Sequence, residues 1–326
     1  MKSISKDISS GEYKKVYLLY GDEDYLKKNI RNKLKEAIVG NENTMNYNYF
    51  EGKNFKINEV TAIADTFPFF ADKRLIILEN TGLFKSAADE MNEYIGVMPD
   101  TTVMVFVENE IDKRGKLYKN VKENGYVCEL NHQSEAALTN WVLNYFGSAG
   151  KKITKGTMEM FLEYAGMDMS NIYNEMGKLV DYTAGRDVIT DDDVEAVCIP
   201  QVSGKIFEMI DAIGNRNSAK AMLLYRNLLA TKEPPMRILF MLARQFNIML
   251  KVKELGSKGY SGESIAKNVG IQSFIVGKTL KQTSGFTIKQ LIDAVEDCVK
   301  IEEDVKNGRL DELAAVEMII IKYSAK

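Results

Sequence analysis

At 326 residues the chain exceeds what a single hydrophobic core usually organises, so two or three domains are expected. A composition 45% hydrophobic and 27% charged is that of a globular protein and excludes a disordered or membrane-embedded one. The net charge of −3 excludes a bulk electrostatic grip on nucleic acid while leaving room for a local basic patch.

Cys128, Cys198 and Cys298 are far apart, odd in number and without CxxC spacing, which fits a reducing cytosol. With one histidine in the chain there is no zinc site to propose. The N-terminus, Met1-Lys2-Ser3-Ile4-Ser5-Lys6, has no apolar stretch behind it and does not read as a signal peptide. The most apolar helical stretch, 236–250, is cut by Arg237 and Arg244 and so does not read as a membrane span. A cytoplasmic location is expected.

Val16-Tyr17-Leu18-Leu19-Tyr20 reads as a buried strand, followed by Gly21 and a helix over 23–38. Asn46-Tyr47-Asn48-Tyr49-Phe50 alternates polar and aromatic residues as a half-buried strand does. Ile57, Val60, Ile63, Ala64 and Phe67 recur at helical steps. Pro68 cannot continue that helix, and Leu75-Ile76-Ile77-Leu78 is a buried strand. A helix over 87–95, a strand over 102–107, a helix over 116–123 and a short strand over 126–128 complete a mostly parallel, doubly wound sheet. After His132 the strands are expected to stop. Short helices are predicted over 134–146, 157–165, 170–183 and 191–197, the last with Thr190 as N-cap, and every segment from 203 onward reads as helical, including 235–255 and 288–306. The layout is an α/β domain, a small helical domain and a helical bundle.

The corner Thr66-Phe67-Pro68-Phe69-Phe70-Ala71-Asp72-Lys73-Arg74 gathers three phenylalanines where polar, exposed residues are the rule. It is either a wedge under the protein's own core or a plug for another protein's pocket.

A strand, a glycine and a helix are where a phosphate-binding P-loop belongs, with the form G-x-x-x-x-G-K-[ST]. Gly21 fills the first place, Leu26 stands for the second glycine, Lys27 for the lysine and Lys28 for the hydroxyl residue. The loop carries Asp22-Glu23-Asp24, whose carboxylates repel a triphosphate, so it is not expected to bind ATP. Gly277-Lys278-Thr279 is a second decoy, with Gln272 in place of the leading glycine and bulky Phe274-Ile275-Val276 before it. The stretch 264–271, with Phe274 and Val276, has the cadence of a helix-turn-helix, but a helix pair inside the bundle suits it better because only Lys278 and Lys281 could read DNA. His132 has no carboxylate, serine or cysteine partner nearby in sequence and reads as structural, Trp141 reads as core, and Asp191-Asp192-Asp193 and Glu302-Glu303 read as a helix first turn and a solvated face. No catalytic constellation emerges.

A sheet domain with a ruined P-loop, a small helical lid and a helical bundle is the layout of AAA+ clamp-loader subunits. The sequence resembles the delta-subunit family of bacterial DNA polymerase III, in its Gram-positive form. The matching stretches are Val16-Tyr17-Leu18-Leu19-Tyr20-Gly21-Asp22-Glu23, then Phe67-Pro68-Phe69-Phe70-Ala71-Asp72-Lys73-Arg74-Leu75, then Ile172-Tyr173-Asn174-Glu175-Met176-Gly177-Lys178-Leu179. The match continues through Ile206-Phe207, Asp211-Ala212-Ile213-Gly214, Glu233-Pro234-Pro235, Ile238-Leu239 and Arg244-Gln245-Phe246. It ends with Ile265-Ala266, Gly270-Ile271, Lys306-Asn307-Gly308 and Asp311.

The resemblance implies three domains: an AAA+-like clamp-binding domain over 1–132, a lid over 133–202 and an oligomerising collar over 203–326. It implies a subunit with no catalysis of its own inside a DNA-directed DNA polymerase holoenzyme, a nucleotidyltransferase complex acting in DNA replication. Such a subunit binds the beta sliding clamp and springs one interface of the ring. The other loader subunits, tau/gamma and delta-prime, complete a hetero-pentamer and bind the ATP and Mg, so no cofactor is expected on this chain. Primer-template DNA is reached through the complex, and no membrane is involved. The family's clamp-contacting motif falls on Phe67, Phe69 and Phe70, which turns the corner from core to plug, with Asp72, Lys73 and Arg74 expected at its rim. Relatives often carry leucine where this chain has Phe67, a change that keeps apolar volume. Gly177 interrupts a run of helix formers and is expected to loosen its helix by about 1 kcal/mol relative to alanine.

Rival readings are an active nucleotide-driven enzyme, which the altered P-loop opposes, and a transcription regulator using the helix-turn-helix-like stretch, which the thin basic charge opposes. A third is a non-replicative interaction module.

Overall fold

The structure, a computed structural model, describes residues 2–40, 45–86, 88–198 and 202–325. The chain divides into two units, Met1–Ser134 and Glu135–Lys326.

The first unit runs α1 (Lys2–Ser10), β1 (Val16–Tyr20), α2 (Asp24–Val39), β2 (Tyr47–Glu51), α3 (Ile57–Ala64), β3 (Arg74–Glu79), α4 (Asp89–Val97), β4 (Thr102–Glu108), α5 (Lys116–Asn124) and β5 (Tyr126–Glu129). Ala87, where the α4 helix is expected to begin, lies outside the described residues. Among the described residues the strands form one parallel sheet in the order β2-β3-β4-β1-β5. Val16 pairs with Met104 and Tyr17 with Tyr126, so β1 is an interior strand, with β4 on one side and the edge strand β5 on the other. Helices cover both faces of such a sheet, which is why β1 and β4 read as unbroken apolar runs and are buried throughout. The alternation of strand side chains then sorts the core into two layers. Leu18, Ile76 and Phe106 pack with Val60, Met91 and Val121 of α3, α4 and α5. Tyr17, Ile77 and Val105 pack on the opposite face with Ile4, Ile30 and Leu34 of α1 and α2. Helix α1 was not expected from the sequence. It buries Ile4, and its Asp7 accepts a hydrogen bond from the Tyr17 hydroxyl at 2.9 Å.

The second unit runs α6 (Glu135–Ser148), β6 (Lys152–Ile153), α7 (Lys155–Ala165), α8 (Met169–Tyr182), β7 (Val188–Ile189) and α9 (Asp191–Val197). It continues with α10 (Val202–Gly214), α11 (Ser218–Ala230), α12 (Pro235–Ser257), α13 (Gly262–Val269), α14 (Ser273–Gln282), α15 (Ile288–Lys306) and α16 (Glu312–Ser324). The expectation that strands stop after His132 needs correcting: β6 and β7 pair in parallel, Lys152 with Val188 and Ile153 with Ile189. Two-residue strands carry too little pattern to be read from a sequence. Phe146 and Phe161 meet edge-to-face at 5.8 Å in the core of the small helical lid. Thr190 caps α9 in a reciprocal capping box with Asp193, as its position predicts. Trp141 is half-buried, so it is only partly the core residue its type suggests.

In the C-terminal helical bundle, α12 is the axis. Ile238, Leu242, Phe246 and Met249 lie in one core with residues of α10, α11, α15 and α16, and Phe246 touches Phe286 and Tyr323. The α13–α14 pair, the helix-turn-helix-like stretch, buries Ile265, Ala266 and Val276 against Val252 of α12. It is a helix pair of the bundle. The expected domain boundary at 202/203 falls beside residues 199–201, which lie outside the described residues. Among the described residues no helix is long and apolar enough to cross a membrane.

Candidate functional site

Helix α3 closes with its last N–H groups turned inward, Asp65 N–H bonding the Thr61 carbonyl at 2.9 Å and Thr66 N–H that of Ile63 at 3.1 Å. Pro68 then forbids another turn, and the chain crosses to β3 through Phe67–Lys73. Phe67 is 86% exposed, Phe69 55% and Phe70 93%. Aromatic rings left in water are the informative exception to burial, and these three adjoin one another in a single loop. Phe69 and Phe70 stand edge-to-face with centroids 4.6 Å apart. Phe70 has a φ of 47°, in the left-handed region, which costs a non-glycine residue roughly 1–2 kcal/mol.

That conformation is held from below. Asn46 is fully buried; its side-chain amide donates to the Phe69 carbonyl at 2.8 Å and accepts from the Phe69 N–H at 2.6 Å. The Arg74 guanidinium donates to the Met45 carbonyl at 3.2 Å and the Asn48 side chain at 3.1 Å, and reaches the Thr66 and Phe67 carbonyls at 3.4 Å. Lys73 donates to the Asp100 carbonyl at 2.6 Å, and the Thr102 hydroxyl bonds the Ala64 carbonyl at 2.6 Å. Backbone fixed and rings free is the arrangement of a preorganised contact surface. One expectation needs correcting: Asp72 is exposed as a rim residue would be, but Arg74 is buried beneath the loop because its fork is used on backbone carbonyls. Neither Asn46 nor the Arg74 fork was singled out in the sequence, since both act through contacts across the fold.

The loop after β1 has a different character. Gly21 has a φ of 126°, and a Cβ there would lie 2.3 Å from the Leu130 carbonyl oxygen, so only glycine fits. The Glu23 N–H, one of those a phosphate would need, donates to the Leu130 carbonyl at 2.9 Å. Lys27 is buried, its ammonium 2.9 Å from the Asp24 carboxylate and bonded to the Asn109 side chain. Leu26 is half-buried and Lys28 points to solvent. Arg31 pairs with Glu79, which also accepts from the Tyr49 hydroxyl at 2.9 Å. His132 has its Nδ1 3.1 Å from the buried Glu23 carboxylate, a partner 109 positions away that sequence proximity does not reveal. The sheet supplies it by placing β5 beside β1. At the second decoy, Lys278 pairs with Glu163 and Thr279 is buried within α14, so Gly277-Lys278-Thr279 is helix interior. Among the described residues no group of histidine, cysteine and carboxylate side chains could hold a metal.

A parallel sheet covered by helices on both faces, followed by a small helical lid and a C-terminal helical bundle, defines an AAA+-like multidomain architecture. Comparison with known proteins specifies the family. The family model described as DNA polymerase III, delta subunit, matches residues 17–131, and the one for the C-terminal domain of the DNA polymerase III delta subunit matches 203–323. The chain is 27% identical to the DNA polymerase III subunit delta of Bacillus subtilis, over 97% of this chain and 95% of that protein. It is 23% identical to a probable DNA polymerase III subunit delta of Aquifex aeolicus, over 91% of each. The solved structure of a Bacillus subtilis DNA clamp loader delta protein superposes with a TM-score of 0.66 at 25% identity, covering 100% of this chain and 99% of that one. The chain belongs to the DNA polymerase III delta subunit family.

Proposed function

We propose that this chain binds the beta sliding clamp through Phe67, Phe69 and Phe70 and springs one interface of the ring for loading onto primed DNA, without hydrolysing ATP itself. The observation that carries the reading is the loop geometry: three exposed rings on a backbone fixed by Asn46 and Arg74. Burying one such side chain contributes roughly 1.5–3 kcal/mol, so two anchors contribute about 3–6 kcal/mol towards the ~8.2 kcal/mol of a micromolar affinity, and the rest of the interface must offset the cost of association. The filled loop around Lys27 supports the second half of the reading, because its N–H and ammonium groups are already engaged. ATP and Mg then belong to partner subunits of the tau/gamma and delta-prime kind in a hetero-pentamer, with primer-template DNA reached through the complex. Within this reading, 1–132 is the clamp-binding domain, 133–202 the lid and 203–326 the collar that holds the assembly.

The test is clamp binding by the Phe69→Ala/Phe70→Ala variant. A hundredfold or greater loss, about 2.7 kcal/mol, with melting close to the parent is expected. Retained clamp affinity with a lowered melting temperature would return these rings to a structural role.

A further inference from the structure

We infer that Asn46 is the positioning residue of the aromatic loop, setting affinity for the apolar partner without touching it; this rests on the reading of Phe67, Phe69 and Phe70 as the contact surface. A side-chain amide carries one donor group and one acceptor, the same pair a neighbouring strand offers. Asn46 lies one residue before β2, whose pairing with β3 starts at Tyr47 and Leu75. Its backbone carbonyl already accepts the Leu75 N–H at 2.8 Å. Its side chain then continues outward as a substitute strand edge, taking both the N–H and the carbonyl of Phe69. The next residue, Phe70, is the one in the left-handed region. Such a conformation persists only where its surroundings over-determine it, and the pair of bonds on Phe69 is the nearest constraint. Arg74 adds the second, on the Phe67 carbonyl.

The chemistry assigns different effects to different substitutions. Alanine removes both bonds. Aspartate keeps the acceptor for the Phe69 N–H but sets a second acceptor against the Phe69 carbonyl. In either variant the Phe69 backbone can turn to water, because the loop is at the surface, so part of the loss falls on order in the free loop, while the buried site of Asn46 adds a folding cost that is larger for the aspartate carboxylate.

The experiment measures clamp affinity, melting temperature and amide exchange of the full chain for the parent, Asn46→Ala, Asn46→Asp and Phe69→Ala/Phe70→Ala. The expected result is about tenfold or greater weakening for Asn46→Ala at a temperature where the variant is folded, with faster exchange at Phe69 and Phe70. Asn46→Asp should weaken binding as well. A clamp affinity within about twofold of the parent for both Asn46 variants, alongside loss in the double phenylalanine variant, overturns the role of Asn46 and leaves the contact surface intact. Unchanged affinity in the double phenylalanine variant removes the contact surface itself, and the role of Asn46 with it. Exchange in the unmutated chain gives an independent reading if the Asn46 variants fail to fold. The Phe69 amide must then be protected in the free protein, and exchange at an open-loop rate overturns the inference.

Discussion

Replacing Phe70 with glycine sets stability and binding in opposition. The ring is 93% exposed, so its removal forfeits almost no burial. It does lose the edge-to-face contact with Phe69, which contributes about 0.5–1.5 kcal/mol and at an exposed site falls at the low end. Against this, glycine adopts the φ of 47° freely and releases roughly 1–2 kcal/mol of backbone strain. The greater freedom of glycine in the unfolded chain returns about 0.5–1 kcal/mol of that. The terms leave net stability within about 1 kcal/mol of the parent, a shift of only a few degrees in melting temperature. Clamp binding loses one anchor of roughly 1.5–3 kcal/mol, or about tenfold to a hundredfold in Kd. Thermal unfolding by calorimetry and titration of immobilised clamp measure the two quantities on one preparation. A core phenylalanine would instead cost about 3–5 kcal/mol on truncation, so a fall of that size in stability refutes the reasoning.

Gly177→Ala should stabilise the chain by up to about 1 kcal/mol, since a Cβ at this position in α8 would meet nothing closer than the Tyr145 hydroxyl at 3.9 Å; chemical denaturation checks it. The chain should show no micromolar binding of ATP by calorimetry at physiological Mg, because Lys27 is held by Asp24 and Asn109 and the Glu23 N–H by Leu130.

The strands of the sheet were legible because a doubly covered parallel sheet demands unbroken apolar runs, as in Val16–Tyr20 and 103–107. Helix α12 was legible because its apolar residues run nearly all round, and neighbours cover most of them, Phe240 being the exposed exception. Helix α1 escaped because Ile4 and Ile8 are the apolar residues it turns to the core, amid serine and lysine. The three phenylalanines stood out by type, whereas what holds them did not. Asn46 is 23 positions from Phe69, and an asparagine before a strand signals nothing until β2 and β3 are known to be neighbours. Arg74 looked like a surface charge because local sequence cannot show that carbonyls from Thr66, Phe67 and Met45 converge on it.

Gly21 carries a wider implication for how ancestry is read from a degenerate site. Its backbone turns left-handed beneath the Leu130 carbonyl, where any side chain would collide. That demand comes from two neighbouring strands lying side by side and has nothing to do with phosphate. A chain that had never met a nucleotide would need the same residue there. A surviving glycine after the first strand is therefore silent about lost activity, and the informative position is one free to drift, Lys28, which is exposed and where no such collision dictates the choice.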